Sequence, residues 1–168
     1  MHGFPAANDF DGWVAQLANS ERRQRAKIYL RGAGRPALAA VRRGMHHPKP
    51  IVRRLCASIL DHLADDATLA DLVAALDDDD AEVVRRALHA LACDRCKEDD
   101  CRPGEHLFVP RALELLHHPD PDIRASAIDT LGKVAPRRPD VADALVEIAQ
   151  QDRDARLRGM ARKRVPVS

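Results

Sequence analysis

Three of the four cysteines in this 168-residue chain crowd into one short stretch, CDRCKEDDCRPGEH, in which Cys93, Cys96, Cys101 and His106 follow a C-x2-C-x4-C-x4-H spacing. Thiolates and an imidazole are donors that tetrahedral zinc takes, and a C-x2-C pair is the usual first half of such a site. The stretch is read as a structural zinc site, since four protein ligands leave no open position for water. His89 competes with His106 as the fourth ligand, because it stands four residues before Cys93 on the same helical face. Two other readings stay open. The three thiols could remain free or pair as a labile disulfide, or they could form a dithiol redox site. The redox reading wants a strand-to-helix context that the flanking sequence lacks. Cys56, the fourth cysteine, falls in an apolar helical stripe and reads as a packed core residue.

What must position this stretch is a repeated pair of helices. Four segments share a turn, an apolar-Arg pair and a helix: HHPKPIVRRLCASIL, DDDDAEVVRRALHAL, HHPDPDIRASAIDTL and QQDRDARLRGMARKR. Their arginines, Arg53, Arg85, Arg124 and Arg156, are spaced by 32, 39 and 32 residues. A weaker copy, NSERRQRAKIYL, lies upstream behind a leading helix near residues 9–18. Before each turn stands another amphipathic segment, marked by Leu38, Val41 and Met45, then Leu69, Leu72, Val73 and Leu76, then Leu113 and Leu116, then Val141, Leu145 and Ile148. These spacings are helical. Pro36, Pro110 and Pro139 are placed at helix starts, where a missing N–H is tolerated. Each unit is then a helical hairpin whose apolar face only a neighbouring unit can bury.

The expected fold is all-α: a right-handed α-solenoid of about five helical hairpins forming one domain over residues 1–168. The approximate repeats are 8–33, 36–64, 67–92, 107–135 and 139–165, with an inserted cysteine loop at 93–106. The seven extra residues between Arg85 and Arg124 fall in that loop, and zinc would hold it.

HHPDPDIRASAIDTLGKVA resembles a HEAT repeat of the short bacterial kind, with its Asp120-Pro121 turn, the Ile123-Arg124 pair, the small Ala127 and the closing Leu131-Gly132. The resemblance extends over nearly the whole chain, although Lys49 stands where this repeat has Asp120. It implies an interaction scaffold that takes a protein partner on a concave row of second helices, and the repeat motif carries no catalytic residue. It also implies an Asp–Arg ladder between adjacent turns, for which Asp120/Arg124 and Asp152/Arg156 stand in an i, i+4 relation. On the second helices Arg54 and Arg86 read as equivalent positions one repeat apart, with His62 and His89 nearby. They are the candidate binding residues for an acidic or phosphorylated partner. His46-His47 and His117-His118 precede the same turn in two repeats and read as turn residues.

The net charge of +1 hides segregation. Residues 1–60 carry eleven Lys/Arg against three Asp/Glu, residues 61–100 four against thirteen, and residues 101–168 twelve against ten. The basic block raises an alternative, nucleic-acid backbone binding through counterion release. Helical-repeat proteins similar to the alkylpurine DNA glycosylases grip duplexes this way, but they use tryptophans and a catalytic carboxylate in the groove. Here Trp13 is the one tryptophan, and four of five aromatics precede residue 30, which leaves little for base stacking. Enzymatic signatures are missing: no Gly-rich phosphate loop, no Ser-centred elbow, and no His-Glu dipeptide of the kind from which deoxyhypusine hydroxylase-like repeats build a di-iron site. The phycobilin lyases have similar repeats and no portable catalytic signature. With no apolar run of membrane length and no signal-peptide pattern, the expected setting is cytoplasmic.

Overall fold

The computed structural model describes residues 3–63, 66–92 and 104–166, and among them every regular element is a helix. The five predicted repeats correspond to five hairpins. They are α1 (Phe10–Gln16) with α2 (Arg23–Ala33), α3 (Leu38–Gly44) with α4 (Pro50–Leu63), and α5 (Asp66–Ala74) with α6 (Ala81–Ala92), followed by α7 (Glu105–Leu115) with α8 (Pro121–Gly132) and α9 (Pro139–Gln151) with α10 (Ala155–Arg162). Cys93, Cys96 and Cys101, and the loop that holds them, lie outside the described residues. No helix among the described residues is long and apolar enough to cross a membrane.

The chain divides into two compact units, Met1–Arg102 with three hairpins and Pro103–Ser168 with two. In the first unit the second helices pack in series, α2 on α4 and α4 on α6, while α1 packs on α3. In the second unit α8 lies against both α7 and α9, and α10 closes on α8 and α9. Each hairpin therefore buries its apolar stripe against a neighbour, as the helical periodicity requires.

The cores follow the predicted stripes with small shifts. Val41, Leu72, Leu76, Leu88 and Leu91 are buried in the first unit, and Leu116, Ile128, Leu131, Val141 and Leu145 in the second. Leu38, Val73 and Leu113 are only half-buried, because Ala40, Ala75 and Ala112 turn inward beside them. Alanine at those points lets neighbouring helices approach closely. Gly44 marks one such approach, where an added Cβ would come 2.4 Å from Cys56 Sγ and 2.9 Å from Val14 Cγ1. Cys56 is fully buried as the sequence predicts, and burial pushes its thiol up to about 12.

Two expectations are corrected here. Pro110 does not begin a helix, for α7 starts at Glu105 behind Gly104 and carries Pro110 in its interior. The proline removes only one backbone bond, and its ring faces solvent. His106 likewise belongs to the first turn of α7 rather than to a loop.

The early aromatics have a structural task. Trp13 stacks between Phe4 and Tyr29, at centroid distances of 5.5 and 4.1 Å. Trp13 Nε1 donates to the Ala6 carbonyl at 3.0 Å and Tyr29 Oη to that of Ala7 at 2.7 Å. Arg25 covers the outer face of Phe4. The cluster pins the leading segment over the first hairpin.

Candidate functional site: the inter-repeat arginines and the second-helix face

The two HHPxP turns build the same device. In each, the second histidine (His47 or His118) accepts the backbone N–H two residues on through Nδ1, at 3.0 Å in both cases. Its carbonyl accepts from the arginine six residues on, Arg53 Nη1 at 3.0 Å and Arg124 Nη1 at 2.9 Å. The remaining face of each guanidinium reaches the following hairpin's turn. Arg53 forks onto Asp78, with both donor–acceptor distances 2.8 Å, and also touches Asp79. Arg124 forks onto Asp152 at 2.9 and 3.2 Å, and both side chains are almost wholly buried. Asp78 and Asp152 in turn accept the N–H of Asp80 and Asp154.

The ladder expected from the HEAT resemblance exists, but its partners are not the i, i+4 carboxylates. Asp120 turns onto its own helix and caps α8 through the Asp122 N–H at 2.8 Å. That leaves Arg124 to reach the next turn. Arg156, 55% exposed, lies no nearer than 3.7 Å to a carboxylate, whereas Arg158 donates to the Asp152 carbonyl at 2.7 Å. Arg158 is thus the counterpart of Arg53 and Arg124. In α6 the Asp80 side chain accepts from Val83, which makes Asp80 the cap and puts buried Val84 at the ladder position. The register of this repeat is one residue off the apolar-Arg alignment, so Arg54 corresponds to Arg85, and Arg86 lies one position further on.

Pairing also explains the charge blocks. Arg42 meets Asp71, Arg53 meets Asp78 and Asp79, and Arg54 forks onto Asp80 with Nε 2.7 Å from Oδ1. The basic second hairpin is neutralised by the acidic third. The Arg54 hydrogen bond holds the Asp80 carboxyl below its ordinary value against an opposing effect of burial. For Asp78 and Asp152, burial alone would push the carboxyl up. The hydrogen bonds from Arg53 and Arg124, together with backbone N–H groups, outweigh it and leave both lowered. The DDDD run was legible as an acidic block, but nothing in the sequence names its partners without the register of the stack.

The candidate binding residues differ in their engagement. Arg54 is committed to Asp80 and remains 37% exposed. Arg86 reaches Glu82 at 2.7 Å, a carboxylate that Arg85 shares at 3.1 Å, and its buried Nε has no hydrogen-bond partner among the described residues. His62 is exposed, and His89 sits with Nε2 3.6 Å from Oδ2 of buried Asp61. His106 is exposed at the start of α7. Among the described residues no group of three or more His, Cys, Asp or Glu could hold a metal ion. Sequence reasoning passed over Lys27, half-buried on α2, whose helical spacing from Arg31 was the available signal.

Comparison with known proteins agrees with this architecture. No curated protein matches the chain. Among solved structures, a chain in the complex of CpcE and CpcF of phycocyanin lyase from Nostoc sp. PCC7120 is similar, with 17% identity, a TM-score of 0.76, and coverage of 95% of this chain and 99% of that one. At this identity the likeness concerns the fold. The family model described as HEAT repeats matches residues 10–92 and 102–163. With that match over both units, and the turn-to-turn arginines that join their hairpins, the chain belongs to the HEAT-repeat family.

Proposed function

We propose that the chain is a protein-interaction module that docks a partner on the row of second helices α2, α4 and α6 in its first unit. The observation that carries this reading is the disposition of charge. The arginines that join adjacent hairpins are consumed by Asp71, Asp78, Asp79 and Asp80, while on the same row Arg86, 39% exposed, shares the single Glu82 carboxylate with Arg85. Arg54 frames the site from α4 and Arg86 from α6, with His62 on α4 and His89 on α6. The similar solved chain belongs to a complex of CpcE and CpcF, which accords with use of this fold for protein assembly. Loss of free arginine to the ladder weakens the competing nucleic-acid reading, because counterion release requires cations that are free to meet phosphates.

The test is affinity purification from the native host with wild type and an Arg86→Glu variant in parallel. A protein captured in near-stoichiometric amount by wild type and lost from the variant supports the reading. Recovery of nucleic acid in its place contradicts it.

We propose also that Cys93, Cys96 and Cys101 hold one structural zinc ion with His106 or His89 as fourth ligand, in a cytoplasmic setting that keeps thiols reduced. Support comes from the donor set and from two accessible imidazoles. His106 is exposed on the first turn of α7, and His89 has Asp61 behind it, a carboxylate of the kind that orients a ligating histidine. Metal analysis of untagged protein purified without chelator should find one zinc per chain. Essentially none would reduce the stretch to a cysteine-rich loop.

A further inference from the structure

Once the inter-hairpin pairs are set aside, one face of the first unit keeps positive charge that no described residue balances. Gln24, Lys27, Ile28, Arg31 and Gly32, at helical spacing on α2, line a groove of about 400 Å³. Ile28 is 63% exposed, the most exposed large apolar side chain among the described residues. Lys27 is half-buried and Arg31 exposed, and among the described residues neither makes an ion pair. Burial lowers the Lys27 pKa, and the positive charges of Arg86 and Arg31 lower it further, with no carboxylate in opposition. Glu82 is divided between Arg85 and Arg86 and cannot neutralise both.

We infer that this face of α2 docks an acidic segment of a partner protein that sets an apolar side chain against Ile28 between two carboxylates. The inference rests on the protein-partner reading above and narrows it to one surface and one chemistry. Charge complementarity selects the acidic groups, since unbalanced Lys27 and Arg31 gain charge-assisted hydrogen bonds only from an anion. Ile28 selects against a bare phosphate or a sugar-phosphate backbone, neither of which offers an apolar contact. The spacing completes the case. Lys27 and Arg31 are one helical turn apart, Ile28 stands i, i+3 to Arg31, and all three line the one groove, so an extended or helical peptide can meet both cations and the isoleucine together.

The experiment selects a random short-peptide library on the immobilised full-length chain. The enriched peptides are then titrated into wild type, Lys27→Glu/Arg31→Glu, the charge-keeping Lys27→Arg/Arg31→Lys, and Ile28→Ser. Far-UV spectra confirm that each variant keeps its helices. The expected peptides carry Asp or Glu on both sides of an apolar residue. Affinity should fall at least about tenfold with the charge reversal, stay within about twofold with the charge-keeping exchange, and fall several-fold with Ile28→Ser. Enriched peptides that lack acidic residues, or that bind the charge-reversed variant as well as wild type, overturn this inference and leave the protein-partner reading intact. If no peptide is enriched, and duplex DNA binds wild type but not the charge-reversed variant, both readings fall.

Discussion

Arg124 and Asp152 face each other as a buried fork, Nε 2.9 Å from one carboxylate oxygen and Nη2 3.2 Å from the other, with each side chain at most 5% exposed. The same guanidinium holds the carbonyls of His118 and Pro119. One side chain therefore fixes its own turn and ties it to the next. Replacing it strands a buried carboxylate and the His118 carbonyl at once, while the Pro119 carbonyl keeps Arg153. Arg124→Ala should cost about 3–5 kcal/mol, in the range for breaking a buried pair from one side. Arg124→Lys should recover only part of this, since an ammonium cannot fork. Urea titration followed by far-UV dichroism measures both, and a loss indistinguishable from that of an exposed arginine would contradict the assignment.

Arg43 supplies that comparison. Its pair with Asp11 has good geometry at 2.7 Å, but the two side chains are 61% and 65% exposed. Water and salt screen such a pair. Arg43→Ala should leave the urea midpoint where it is. Trp13, the sole tryptophan, lies on the hairpin that carries Asp11 and reports this unit by its fluorescence.

The carboxylates of the ladder set an acid limit. Asp78, Asp80 and Asp152 are all held below their ordinary values in the folded chain. The unfolded chain therefore binds protons more readily, and its ordinary carboxylate value is about 3.9. Stability from these groups is complete well above that value and is lost as pH falls through it towards the lower folded values. The urea midpoint should stay level from neutral pH to about 5 and drop steeply below about 4. Arg53→Ala/Arg124→Ala should flatten the drop, and an unchanged acid slope in that variant would contradict the linkage.

Gly44 should resist the substitution that usually strengthens a helix. Alanine normally gains about 1 kcal/mol over glycine inside a helix. Here its Cβ would fall 2.4 Å from Cys56 Sγ. Gly44→Ala should instead cost about 1–3 kcal/mol by overpacking. Gly44→Ala/Cys56→Ala should lose less than the sum of the single changes, because the second opens room for the first. The buried thiol of Cys56 should stay silent to thiol reagents until the chain unfolds, so native titration reads at most the other three cysteines.

The hairpins were legible because helical periodicity is local. Val141, Leu145 and Ile148 are buried as their spacing predicts. The ladder was legible only in kind. Arg53 and Arg124 stood out by repetition, but their partners lie 25 and 28 residues downstream, a relation set by how hairpins stack. A one-residue shift in the third turn was enough to align Arg85 with Arg53, although Val84 takes that place. Pro110 misled for a related reason. A proline beside an apolar run reads as a start, yet α7 begins five residues earlier and tolerates the lost bond. The open face of α2 was hidden because Lys27 and Arg31 looked like any two members of a basic block, until the pairing of Arg42, Arg53 and Arg54 set them apart.

The central claim is that the charge remaining on the second-helix row serves a protein rather than a nucleic acid. Titration of random-sequence duplex DNA into the full-length chain at about 150 mM salt tests it most directly, because non-specific binders reach dissociation constants of about 10⁻⁴–10⁻⁶ M under such conditions. No saturable binding is expected at micromolar concentration, and a residual interaction at low salt should be abolished by the Lys27→Glu/Arg31→Glu change. Micromolar binding of wild type at about 150 mM salt would contradict the claim, whether or not the variant retains it.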